Sequence, residues 1–119
     1  MKYNNDFRND LEFGQMYETK FHRMLSEKKV EVKSDRQSMD TGNVFIEFSY
    51  KNEISGILKT EADYYAYYIN DETCITMSVK TLIEKIRKLL NVNNAQIKSG
   101  GDGYKSRGVV TKIGNLLYG

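Results

Sequence analysis

Apolar residues first fall on one side of a helix: over 11–25, Leu11, Gly14, Phe21 and Leu25 recur at helical steps, and Phe13, Tyr17 and Met24 widen the stripe. Asp10 is suited to cap the start of that helix, and the polar residues 1–8 are expected to fray. The period then changes. Over 29–35, Val30 and Val32 alternate with Glu31, Lys33 and Asp35, which predicts a strand with one polar face. The polar stretch 36–43 ends in Asp40-Thr41-Gly42-Asn43 and reads as a turn. Alternation resumes over 44–51, with Val44, Ile46, Phe48 and Tyr50 on one face and Phe45, Glu47, Ser49 and Lys51 on the other. After a turn at Asn52-Glu53, residues 54–58 predict a third strand.

Thr60 with Asp63 has capping-box spacing and predicts a helix over 62–69 that holds four tyrosines. A short apolar strand follows at 73–77. Ser78 then caps an amphipathic helix with Val79, Leu82, Ile83, Ile86, Leu89 and Leu90 on one side. Gly100-Gly101-Asp102-Gly103 reads as a loop, and 108–113 as a last strand. The predicted order is αβββαβαβ. That order is of the α/β class, with a mixed central sheet flanked by helices.

Composition narrows the function classes. A chain of 119 residues suits one domain, here 1–119. Its 18 Lys and Arg against 16 Asp and Glu leave a formal charge of +2, so any contact with nucleic acid must come from local patches. The single Cys74 excludes an intramolecular disulfide framework and fits a reducing compartment. No apolar run approaches the roughly 18 residues of a membrane span, and the N-terminus lacks a signal peptide's apolar stretch. The expectation is a soluble, cytoplasmic protein without a membrane partner.

Candidate chemistry lies on the two best strands. Glu31, Lys33 and Asp35 share one face of the first, and Glu47 stands on the second with Ser49 two positions on. If the strands are neighbours, Asp35 and Glu47 converge. Close carboxylates repel unless a cation lies between them, and hard oxygen ligands of this kind suit Mg²⁺. Alternation also produces solvated outward faces as a matter of course, so the same residues fit an exposed sheet surface. Glu18 lies within the apolar stripe of the first helix, where a carboxylate is costly unless it is paired or binds metal. A salt bridge to Lys33 or an edge position would account for it equally.

These residues, in this order of elements, resemble the PD-(D/E)XK nuclease superfamily. Gly14-x-x-x-Glu18 is similar to that family's first-helix glutamate, Asp35 to its motif aspartate and Glu47 to the glutamate of Glu-x-Lys. Thr41-Gly42-Asn43-Val44-Phe45-Ile46-Glu47, with Ser55-Gly56-Ile57 and Thr60-Glu61-Ala62-Asp63-Tyr64-Tyr65, resembles a phage-type branch. The resemblance runs over about 11–77. It implies a restriction-endonuclease-like αβββαβ core and hydrolysis of nucleic-acid phosphodiesters, with DNA ahead of RNA. Asp35, Glu47 and Glu18 would serve Mg²⁺ or Mn²⁺.

The chain departs from the pattern in two places. No proline precedes Asp35, and Ser49 stands where the family has its lysine. Lys33, on the face of Asp35, is the first substitute; Lys51 is the weaker one. Reading Glu31-Val32-Lys33 as the motif itself fails, because no suitable aspartate precedes it on a strand. Lys59, Lys98, Lys105 and Arg107 are candidate contacts to the nucleic-acid backbone. A homodimer is a further expectation, since so small a nuclease often needs a partner subunit to cradle a duplex. Ser49 also keeps a different class open: a catalytically inactive nuclease-like module that binds nucleic acid or a partner protein.

Other residues carry less. His22 is the only histidine, which leaves little for a histidine metal site or triad. Cys74, in an apolar strand, is expected in the core. The glycine loop lacks the Gly-Lys-Ser/Thr ending of a phosphate-binding loop, and the tyrosines at 64, 65, 67 and 68 read as helix packing.

Overall fold

The structure, a computed structural model, describes residues 2–100 and 102–118, with the side chains of 2–6 and 102 left aside. A long helix α1 (Lys2–Glu27) leads into β1 (Val30–Ser34) and a short helix α2 (Arg36–Thr41). Then come β2 (Asn43–Tyr50), β3 (Glu53–Ile54) and a 3₁₀ turn (Gly56–Leu58). The chain continues with β4 (Tyr64–Asn70), β5 (Thr73–Ser78) and α3 (Val79–Asn91). It closes with β6 (Gln96–Gly100), a 3₁₀ turn (Asp102–Tyr104), β7 (Ser106–Lys112) and α4 (Ile113–Tyr118).

The strands form two sheets, not one. A mixed sheet has the order β1-β4-β5, with β1 and β4 parallel and β4 and β5 antiparallel; an antiparallel sheet has the order β3-β2-β7-β6. The expected neighbours β1 and β2 therefore share no hydrogen-bond ladder. One core joins both sheets: Val44, Ile46 and Val109 of the second meet Tyr65 and Tyr67 of the first. Leu82, Ile86 and Leu89 of α3 and Leu116 of α4 complete it. The amphipathic pattern of α3 and its Ser78 cap, which accepts from the Thr81 N–H at 3.1 Å, are as expected.

Four expectations are corrected. The tyrosine-rich segment is strand β4, because aromatic residues favour a pleated, half-buried surface. Thr60 makes a local bond from the Ala62 N–H instead of capping a helix. In β1 the facing is reversed: Val32 is 60% exposed, while Glu31 and Lys33 are half-buried beside Tyr65 and Tyr67. Cys74 is exposed on the edge strand β5. Further differences are smaller: the strand expected over 54–58 is only β3 (Glu53–Ile54) before the 3₁₀ turn at Gly56–Leu58, α2, β6 and α4 are ordered elements, and Gly101 of the expected glycine loop is outside the described residues.

Helix α1 behaves unlike the rest. It runs well before Asp10, so that residue is interior and caps nothing. Every side chain described on it is exposed except Met24, which is half-buried. The chain has a radius of gyration of 17.5 Å and a longest extent of 64 Å, against about 13–14 Å for a compact chain of this length. The excess is the helix, which stands off the two sheets.

Candidate active site

Asp35 follows the last residue of β1 and caps α2. Its backbone is extended, one carboxylate oxygen accepts the Gln37 N–H at 2.9 Å, and the other accepts the Ser38 hydroxyl at 3.3 Å. Ser38 is buried and shares a second hydrogen bond with the Tyr67 hydroxyl at 2.9 Å. The stretch expected as a turn is thus a short helix whose cap fixes the carboxylate. Gly42, left-handed at φ 75°, ends that helix and returns its N–H to the Ser38 carbonyl.

Glu47 lies in β2 on the face opposite Val44 and Ile46. One of its carboxylate oxygens accepts the Ser55 hydroxyl at 2.8 Å, and the Ser55 N–H donates to the Phe48 carbonyl at 2.9 Å. Across the ladder stands Gly108 of β7. A methyl group there would lie 2.6 Å from the Phe45 ring and 2.7 Å from the Ile46 carbonyl oxygen, so the absence of a side chain lets the ring lie against β7.

Asp35, just past β1, and Glu47 of β2 line the same cavities although β1 and β2 belong to different sheets. Both line an inner cleft of about 230 Å³ together with Lys33, Phe45, Tyr65 and Tyr67. Both also line an adjoining groove of about 910 Å³ that reaches Asp40, Thr41, Lys98 and Ser99. Lys98 shares the Glu47 face of the second sheet through its pairing with Gly108.

The inner cleft has a fixed polar wall. Lys33 pairs with Glu31 at 2.7 Å and holds its ammonium 5.9 Å from the centre of the Tyr65 ring. Glu31 also accepts the Thr60 hydroxyl at 2.7 Å. Partial burial alone would raise the Glu31 carboxyl, but Lys33 and Thr60 outweigh it and hold it below its ordinary value. The Tyr65 hydroxyl is buried without a hydrogen-bond partner among the described residues. Burial, followed by the negative charges of Glu31 and Glu47, pushes its pKa up to about 12. Tyr67 is raised by burial first and then by Asp35, with the Ser38 bond acting the other way. Both phenols therefore stay protonated donors at neutral pH.

The remaining expected residues lie apart. Glu18 is exposed on α1 and lines neither cleft; its stripe faces no core, so its place in the stripe does not aim it inward. Lys59, Lys105 and Arg107 are exposed and also line neither cleft, which leaves Lys98 of the four. Lys51 sits at the β2–β3 turn with its ammonium 5.5 Å from the Tyr50 ring centre. Ser49 follows a bulge in β2 that breaks the alternation after Glu47, and it too lines neither cleft. The site residues not anticipated are Ser38, Glu31 as the holder of Lys33, and the pair Tyr65 and Tyr67. Their signal was the alternation of Tyr65 and Tyr67 around Ala66, which a strand reading would have placed on one face.

Among the described residues no three His, Cys, Asp or Glu side chains converge. The donor set is two carboxylates, and it suits Mg²⁺, which takes one or two carboxylates and keeps several waters. No family model, curated protein or solved structure matches the chain.

Proposed function

We propose that this protein is a divalent-metal-dependent nuclease of PD-(D/E)XK type, acting on the phosphodiester bonds of nucleic acid, with DNA the first substrate class. One observation carries the reading: Asp35, just past β1 of one sheet, and Glu47, on β2 of the other, line the same two adjoining clefts, with Lys33 in the inner one. The finer fold reading, a restriction-endonuclease-like core, goes with this proposal. It rests on a long helix followed by a strand that leads into Asp35 and a strand that bears Glu47, while the division into two sheets departs from a single central sheet.

In this reading Asp35 and Glu47 hold Mg²⁺ or Mn²⁺, and their bonds from Gln37, Ser38 and Ser55 fix the carboxylates before any ion arrives. A bound cation would acidify water and offset charge on the phosphate. Lys33, held by Glu31, orients the attacking water or neutralises the phosphoryl oxygens. Lys98 draws the backbone of the nucleic acid into the outer groove by charge.

The test is cleavage of single- and double-stranded DNA and RNA by the purified protein with Mg²⁺ or Mn²⁺. Activity should stop with chelator and fall by orders of magnitude in Asp35→Asn and in Glu47→Gln. A wild-type rate from either variant would remove the assignment. Ser49 in the motif-lysine position favours a second reading, a nuclease-like module that binds without cutting; binding with no cleavage under any metal would select it.

A further inference from the structure

We propose that α1 is a self-association element: two copies pair their α1 helices antiparallel, about a two-fold axis at Met16. This does not rest on the nuclease reading. A solitary helix is marginal in water, and most helical stability in proteins comes from packing an apolar face. Yet Phe7, Leu11, Tyr17, Phe21 and Leu25 are 48% to 63% exposed on this 26-residue helix.

The stripe itself specifies the partner. Phe7, Leu11, Gly14, Glu18, Phe21 and Leu25 are spaced alternately four and three apart, the repeat of a helix-pairing seam. Its weak point is central: Gly14 and Glu18 stand two positions either side of Met16. Antiparallel pairing sets Phe7 against the partner's Leu25 and Leu11 against the partner's Phe21. It also sets Gly14 against the partner's Glu18, so that the residue without a side chain faces the polar one. Parallel pairing in register would instead place glutamate against glutamate.

Five half-exposed apolar side chains offer on the order of 500 Å². With their polar flanks that approaches the ~800 Å² a standard interface takes from each partner.

The experiment is sedimentation of the full chain and of two variants, with a spin-label distance on a third. Wild type should be a concentration-dependent dimer, and Leu11→Glu with Phe21→Glu a monomer whose core melts as before. Glu18→Leu should tighten the dimer. Spin labels on Phe7→Cys, at the seam, in a Cys74→Ser background, should lie at least ~25 Å apart, since antiparallel pairing separates them by eighteen residues at ~1.5 Å each. Labels at the ~10 Å of side-by-side helices would mean parallel pairing and overturn the proposal. So would a wild-type monomer, with α1 folded onto its own sheet, or a dimer that survives the double substitution.

Discussion

Gly56 lies directly against the backbone of Glu47. Its φ is +51°, and a methyl group in its place would stand 2.2 Å from the Glu47 carbonyl oxygen and 2.8 Å from the carbonyl carbon. Ser55, one residue earlier, holds the Glu47 carboxylate at 2.8 Å. The Ser55-Gly56 turn is therefore the clamp that fixes Glu47 in the cleft.

Gly56→Ala should be costly on two counts. The left-handed conformation alone disfavours a side chain by roughly 1–2 kcal/mol, and the overlap with rigid backbone adds to that. Ser55→Ala removes one partly buried bond to a carboxylate, a loss of about 1 kcal/mol. Urea denaturation should rank the two in that order. Under the proposed function, both should also weaken Mn²⁺ binding, because Glu47 loses its fixed position.

The contrast between β2 and β4 explains what was legible from sequence. In β2, Val44 and Ile46 alternate with Phe45 and Glu47, and the structure buries the first pair and lines the cleft with the second. Alternation sufficed there because one face meets the core and the other meets polar groups. In β4 every position but Ala66 and the last two is tyrosine, so neither period stands out and the capping-box spacing of Thr60 and Asp63 misleads. β1 was legible as a strand but not in its facing, since valine outward and lysine inward inverts the usual rule. That inversion builds the candidate site: Lys33 lies beside Glu31 and Tyr65 in the inner cleft. The isolation of α1 was beyond sequence reading, because an amphipathic stripe does not say whether the chain's own sheets or another molecule covers it.

Under the proposed function, Lys33 and Lys51 should separate cleanly. Lys33 shares the inner cleft with both carboxylates, whereas Lys51 stands at a hairpin turn over Tyr50. Lys33→Ala should abolish cleavage with little loss of substrate affinity, since one lysine contributes a small part of backbone binding. Lys51→Ala should have a minor effect on both. Glu31→Gln should reduce the rate less than Lys33→Ala, because it releases the ammonium without removing it. Single-turnover cleavage with parallel binding measurements tests all three, and full activity in Lys33→Ala would leave catalysis to the metal alone.

Tyr65 gives the fold an alkaline limit. Its folded pKa of about 12 exceeds the ordinary value of 10.0, so the folded state keeps a proton that the unfolded chain releases first. The contribution is complete below the unfolded value and is lost as pH rises from about 10 towards about 12. Urea midpoints should fall across that window in the wild type and fall less in Tyr65→Phe, which has no proton to lose. At neutral pH the phenylalanine variant should be as stable or more so, because the hydroxyl is buried without a partner among the described residues.

Under the proposed function Asp35 has two duties that substitutions can divide. As a cap it needs an oxygen to accept the Gln37 N–H; as a metal ligand it needs the negative charge. Asn supplies the first and lacks the second, and Ala lacks both. Asp35→Asn should therefore keep the wild-type melting temperature, or exceed it where repulsion from Glu47 is relieved, while cleavage falls by orders of magnitude. Asp35→Ala should lose cleavage to the same degree and about 1 kcal/mol of stability besides, the usual worth of a capping side chain. Thermal melts and cleavage rates on the two proteins decide the matter. If activity tracks stability across both variants, Asp35 serves only to hold α2; if Asp35→Asn is stable and inactive, its charge is what the chemistry uses.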